Sequence, residues 1–118
     1  MRYMMFVCTD TEPDPPTGDP KLDDVDDWVE RHDSSGARVM GEVLRPVSDA
    51  TTVRMRGGKV LITDGPFAET REWIAGFDIL ECADLDEAIT IASQHPMARS
   101  GRLELRPFME WEDDGPPS

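Results

Sequence analysis

Asp64 and His95 are the two side chains of this chain best suited to general acid–base work. Asp64 opens the run Asp64-Gly65-Pro66-Phe67 at the end of a β-rich stretch, where a loop on a rigid sheet can present a carboxylate as a base or a ligand orienter. The same aspartate before glycine also suits a turn, its carboxylate accepting nearby backbone N–H bonds. His95 closes a helical stretch beside Pro96, and an imidazole titrating near neutrality could exchange protons with Asp64. A helix C-terminus equally favours a protonated histidine as a capping cation. His32, near the end of an earlier helix, faces either the same cavity or solvent. Glu69 and Glu72 flank Arg71 at a spacing of three, which suits ion pairing, and Arg71, Arg99 and Arg106 are cations able to hold a carboxylate or phosphate. The expected catalytic pair is therefore Asp64 with His95, and Pro66, Phe67, Glu69, Arg71 and Arg99 are the expected ligand contacts.

Other chemistries find no residues to carry them. The chain has no glycine-rich phosphate loop, serine nucleophile elbow or metal-ligand cluster, so no metal and no cofactor is expected. Two cysteines, Cys8 and Cys82, make neither a zinc site nor a disulfide framework. The 118 residues carry 12 Lys and Arg against 25 Asp and Glu, a formal charge of −13, which opposes nucleic acid and anionic membranes. Arg54, Arg56 and Lys59 form one small basic face and do not outweigh that charge. Residues 10–35 hold 10 acids and 2 bases, and residues 110–114 hold 4 acids and no base, so the excess is local. There is no run of about 18 apolar residues to span a bilayer, and the apolar N-terminal run is too short for a signal peptide. A cytoplasmic protein is expected, with one domain over 1–109, an acidic loop over 9–20 and a flexible acidic tail over 110–118.

The elements that must position these side chains follow from periodicity and punctuation. Residues 2–8 are apolar on both parities, as in a strand covered on both faces. Asp19-Pro20 provides an N-cap and a first helical proline, Asp23 and Asp24 suit the first turn, and Gly36 provides a stop, predicting a helix over 20–34 with Leu22, Val25, Trp28 and Val29 as its apolar stripe. Residues 38–45 read as a strand weakened by Gly41. Thr52–Thr63 reads as a hairpin around Gly57-Gly58, pairing Met55 with Val60 and Val53 with Ile62 on one face and Arg54 with Leu61 on the other. Residues 73–82 form a central strand. Asp84 caps a helix, with Glu87 completing an aspartate capping box, Leu85, Ala88, Ile89 and Ala92 buried, and Pro96 ending it. Residues 103–108 form the last strand.

This order is an α+β, ferredoxin-like βαββαβ pattern with an inserted β-hairpin, an antiparallel-type sheet bearing two helices on one face. Cys8 and Cys82 are expected at the same ends of neighbouring parallel strands. Because two helices cover one face, the doubly apolar strands predict a symmetric homodimer through the sheets, a dimeric α/β-barrel-like assembly.

Six segments carry a resemblance to a known family: Ala50-Thr-Thr-Val-Arg54, Thr63-Asp-Gly-Pro-Phe-Ala-Glu-Thr-Arg-Glu72, Gly76-Phe77, Leu85-Asp-Glu-Ala88, His95-Pro96 and Gly101-Arg-Leu-Glu-Leu-Arg-Pro107. Over about residues 38–108 the chain resembles the DGPF subgroup of YCII-related proteins. The resemblance implies a dimeric ferredoxin-like protein without an established reaction, and some members are encoded beside, or joined to, extracytoplasmic-function sigma factors. Related YCII proteins are proposed to use a His and an Asp in a pocket, and no motif fixes which histidine here corresponds. Many relatives have Lys where this chain has Arg71, and an arginine cannot form a Schiff base. Two functions follow: a small organic ligand bound near the Asp64–Phe67 loop with acid–base chemistry from Asp64 and His95, or a non-catalytic regulatory protein associated with such a sigma factor.

Overall fold

A computed structural model of the chain describes residues 1–15, 17–65 and 73–110. Strand β1, Arg2–Thr9, alternates: Tyr3, Met5 and Val7 are buried, while Met4, Phe6 and Cys8 on the other parity are half-buried. The predicted helix over 20–34 is two helices, α1 at Pro20–Asp23 and α2 at Val25–Ser35. The break has a local cause. Asp24 takes an extended backbone and caps α2, its carboxylate accepting the Asp26 N–H at 2.9 Å, while Asp23 reaches back to the backbone N–H groups of Thr17 and Gly18. Aspartates that compete for backbone donors favour caps over helix interior. Gly36 ends α2 at φ 80°, as expected of a left-handed stop.

The buried residues of α2 are Trp28 and His32, one turn apart; Leu22 and Val25, expected in the stripe, are exposed. Strand β2, Arg38–Val43, stops short of the predicted residue 45. Strands β3, Thr51–Arg56, and β4, Lys59–Asp64, pair in the predicted register, Met55 with Val60 and Val53 with Ile62, about Gly57 and Gly58 at φ 59° and 76°. They form a separate two-stranded sheet whose apolar stripe, Val53, Met55, Val60 and Ile62, is exposed.

Strand β5, Ile74–Glu81, leads into α3, Leu85–Ser93, where Asp84 accepts the Glu87 N–H and Glu87 accepts the Ala83 N–H. Ala88, Ile91 and Ala92 are buried; Leu85 and Ile89 are half exposed, because the helix turns its alanine edge to the core and seats Ile91 beside Trp28. A short helix α4, Met97–Ser100, precedes β6, Gly101–Pro107.

The main sheet runs β2-β5-β1-β6 with every neighbour antiparallel, which is the ferredoxin-like order. Tyr3, Met5, Val7 and Leu80 share one core with Trp28 of α2 and Ala88, Ile91 and Ala92 of α3. The antiparallel pairing corrects the expected cysteine geometry. Cys8 lies opposite Ile74, whereas Cys82 follows the far end of β5 and donates its N–H to Met1, so the two thiols sit at opposite ends of β1. No helix among the described residues is long and apolar enough to cross a membrane. All of the predicted 110–118 tail except Glu110 lies outside the described residues.

Candidate functional site

A cavity of about 560 Å³ opens between the start of α2, strands β2 and β5, and the turn joining α3 to α4. Its volume is in the range of small-molecule sites. Its deepest polar side chains are Arg38 at the start of β2, Asp78 in the middle of β5, and His95 in the α3–α4 turn, with Asp23, Asp26 and Glu42 also lining it.

His95 is only 4% exposed. Its ring packs edge-on to Trp28 with centroids 4.6 Å apart, and its Nδ1 accepts the Met97 backbone N–H at 2.9 Å. Burial, followed by the nearby Arg38 charge, lowers its pKa to about 4. The ring is therefore neutral at pH 7, and the bond at Nδ1 places its proton on Nε2. That burial, and the acceptor role of Nδ1 toward Met97, disfavour a capping imidazolium, one of the two sequence readings. Nε2 has no hydrogen-bond partner among the described residues, yet none of their buried side-chain nitrogens or oxygens is left unsatisfied, so Nε2 reaches open space where His95 lines the cavity.

Asp78 is a single carboxylate on the helix-covered face of β5, opposite Met5 of β1 and Gly41 of β2, and 6% exposed. Its Oδ1 accepts from Arg38 Nε at 2.6 Å, and the same guanidinium donates through Nη1 to Asp33 at 2.9 Å. Burial pushes the Asp78 carboxyl above the ordinary carboxylate range against the opposing pull of Arg38. By the same reasoning as for His95, Oδ2 is left for whatever enters the cavity. Gly41 makes this arrangement possible: a Cβ there would overlap Asp78 Oδ1 and lie 2.7 Å from the Phe77 carbonyl oxygen.

The expected site residues fall in three groups. His95 lines the cavity. Asp64 is exposed at the end of β4, opposite Thr51, and Arg99 is exposed on α4, its carbonyl accepting the Asp14 N–H at 2.8 Å; neither is among the described residues lining the cavity. Gly65, after Asp64, takes φ 101°, and its N–H donates to Ala50 at 2.7 Å, closing the hairpin base. Pro66, Phe67, Glu69 and Arg71 lie outside the described residues. His32 is buried, neither solvent-facing nor a cap: its ring leans on Trp28, and Nε2 lies 3.0 Å from Gln94 Oε1. Sequence reasoning missed Arg38 and Asp78. The available signal was Asp78 itself, a lone acid in the apolar run Ile74-Ala-Gly-Phe-Asp-Ile-Leu80 that must face a covered side of the sheet.

The chain is similar to an uncharacterized protein of Rhizobium meliloti (strain 1021), 39% identical over 83 residues, covering 67% of each chain. The description of the family matching residues 1–112 is "YCII-related domain". A match over residues 1–112, nearly the whole chain, means that this chain belongs to the YCII-related family.

Proposed function

We propose that the chain binds a small organic molecule in the cavity lined by Arg38, Asp78 and His95, and that this site supports acid–base chemistry. The observation that carries the reading is His95 Nε2, an N–H donor on a nearly buried ring with no acceptor among the described residues and an opening into the cavity. In this reading His95 works as a neutral donor that polarises an oxygen of the ligand, because Nδ1 is occupied by the Met97 N–H. A carboxylate supplies the base. Asp78 is favoured for this, since its free Oδ2 shares the cavity; Asp64, at the hairpin end, is the loop-side candidate. Arg38 holds Asp78 in place and keeps the carboxylate from being buried alone.

A metabolite screen by ligand-observed NMR, run on wild type, His95→Gln, Asp78→Asn and Asp64→Asn, tests this. Hits should weaken in His95→Gln and Asp78→Asn. Hits that bind all four proteins equally would place binding elsewhere, and dependence on Asp64 alone would move the site to the hairpin base.

A homodimer belongs to the same proposal. The sheet face away from the helices presents Met4, Phe6, Phe77 and Ile79, with Phe6 opposite Phe77 and Met4 opposite Ile79, and no helix among the described residues lies on it. Such a face suits a second copy. The regulatory alternative, association with an extracytoplasmic-function sigma factor, is favoured by the β3–β4 hairpin, whose exposed apolar stripe suits a protein contact. A partner retained at low salt and lost at high salt would support it.

A further inference from the structure

The charges around the cavity specify its occupant further, provided that the cavity is the ligand site. Among the described lining residues, Asp23, Asp26, Glu42 and Asp78 carry carboxylates and only Arg38 carries a cationic side chain. That guanidinium is already engaged by Asp78 at 2.6 Å and Asp33 at 2.9 Å. An anionic ligand reaching the remaining Nη2 would sit beside both of these carboxylates and be repelled by them. The α2 N-terminus, which would otherwise draw an anion to the rim, is already answered by the Asp24 cap and by Asp26 and Asp27 in the first turn. The Asp23 carboxylate is held ionised by hydrogen bonds from the Thr17 and Gly18 backbone. The walls are apolar, formed by Val7, Val29 and Met97 among others.

We propose that the cavity selects an organic cation: a protonated amine placed against Asp78, with an oxygen that accepts from His95 Nε2 and an apolar body against Val7, Val29 and Met97. The two polar requirements come from separate side chains on separate elements, β5 and the α3–α4 turn. A carboxylate with one free oxygen calls for a cationic donor, and an imidazole Nε2–H calls for an acceptor.

The test uses three probes that share a phenyl ring and a benzylic hydroxyl and differ in one group: 2-amino-1-phenylethanol, 1-phenylethane-1,2-diol and 3-hydroxy-3-phenylpropionate. Binding to the full chain at pH 7 is read from the amide resonances of Val29, Gly41 and Gly76. The ammonium probe should bind about tenfold more tightly than the carboxylate probe or better, with the diol between them. Asp26→Asn combined with Glu42→Gln should narrow that ratio several-fold while leaving the diol unchanged, and Asp78→Asn should narrow it further. The rim variants serve if Asp78→Asn fails to fold. A carboxylate probe that binds as tightly as the ammonium, or a ratio indifferent to all three substitutions, overturns the charge selection while the cavity remains a site. If no probe moves those resonances, the cavity reading itself falls, and the selection with it.

Discussion

Acidification should destabilise this protein through His95 in a window set by that one ring. In the unfolded chain an ordinary histidine binds its proton near pH 6.5; in the folded chain burial and Arg38 hold the ring neutral down to about pH 4. Between these values the unfolded state binds more protons than the folded state, so stability falls as pH falls. The contribution is complete above the unfolded pKa and is lost as pH drops through the window. A gap of about 2.5 pKa units corresponds to about 3 kcal/mol at full protonation, and to about 2 kcal/mol by pH 5. The perturbation is His95→Gln, which removes the titration from both states. The assay is urea unfolding at pH 7.5 and 5.0, at fixed protein concentration, followed by far-UV circular dichroism. Carboxylates and His32 titrate in both proteins and largely cancel in the comparison, although His32, also lowered by burial, adds a loss of the same sign to each. Wild type should lose about 2 kcal/mol more than the variant on going from pH 7.5 to 5.0. Equal losses would mean that the folded ring protonates freely, refuting both the burial argument and the neutral-donor role.

Other outcomes test the packing around the same cavity. Gly41→Ala drives a Cβ into Asp78 Oδ1 and the Phe77 carbonyl, so it should cost about 1–3 kcal/mol in urea unfolding, and an unchanged midpoint would contradict that geometry. Trp28→Phe keeps an aromatic ring but removes part of the buried indole and the 2.9 Å bond from Nε1 to the Ile91 carbonyl, and should cost about 1–3 kcal/mol in the same assay. Ile79→Glu puts a charge on the sheet face away from the helices; sedimentation should show a dimer for wild type and a monomer for the variant, and a monomeric wild type at micromolar concentration would end the dimer proposal.

The parts of this structure legible in the sequence are those fixed by local chemistry. Gly57-Gly58 between two β-rich runs dictated both the hairpin and its register, because only glycine takes two successive positive φ values without strain. Asp84 and Glu87 announced the start of α3, and Gly36 the end of α2. Decisions made by tertiary packing were not legible. Leu85 and Ile89 have the right spacing for a buried stripe, yet Ala88, Ile91 and Ala92 face the core, and nothing local distinguishes two stripes rotated by a fraction of a turn. The aspartate-rich segment before Trp28 offered several caps, and competition among Asp19, Asp23 and Asp24 divided one predicted helix into two. For the site, His95 was found by residue type, but its protonation state depends on Trp28 and Arg38, which are distant in sequence.

The Asp33–Arg38–Asp78 chain is harder to explain by stability than by function. Burying an ion pair gains little over apolar residues of similar size, since the desolvation of both charges offsets their attraction. Asp78 occupies a position between Phe77 and Ile79 on a central strand, opposite Met5, where a valine or leucine would extend the core. Keeping a carboxylate there requires Arg38 as counter-ion, a second carboxylate at Asp33, and a missing side chain at Gly41. Three residues on two elements, α2 and β2, are thus committed to holding one carboxylate whose second oxygen meets the cavity. A site that recognises charge explains that commitment; core packing alone does not.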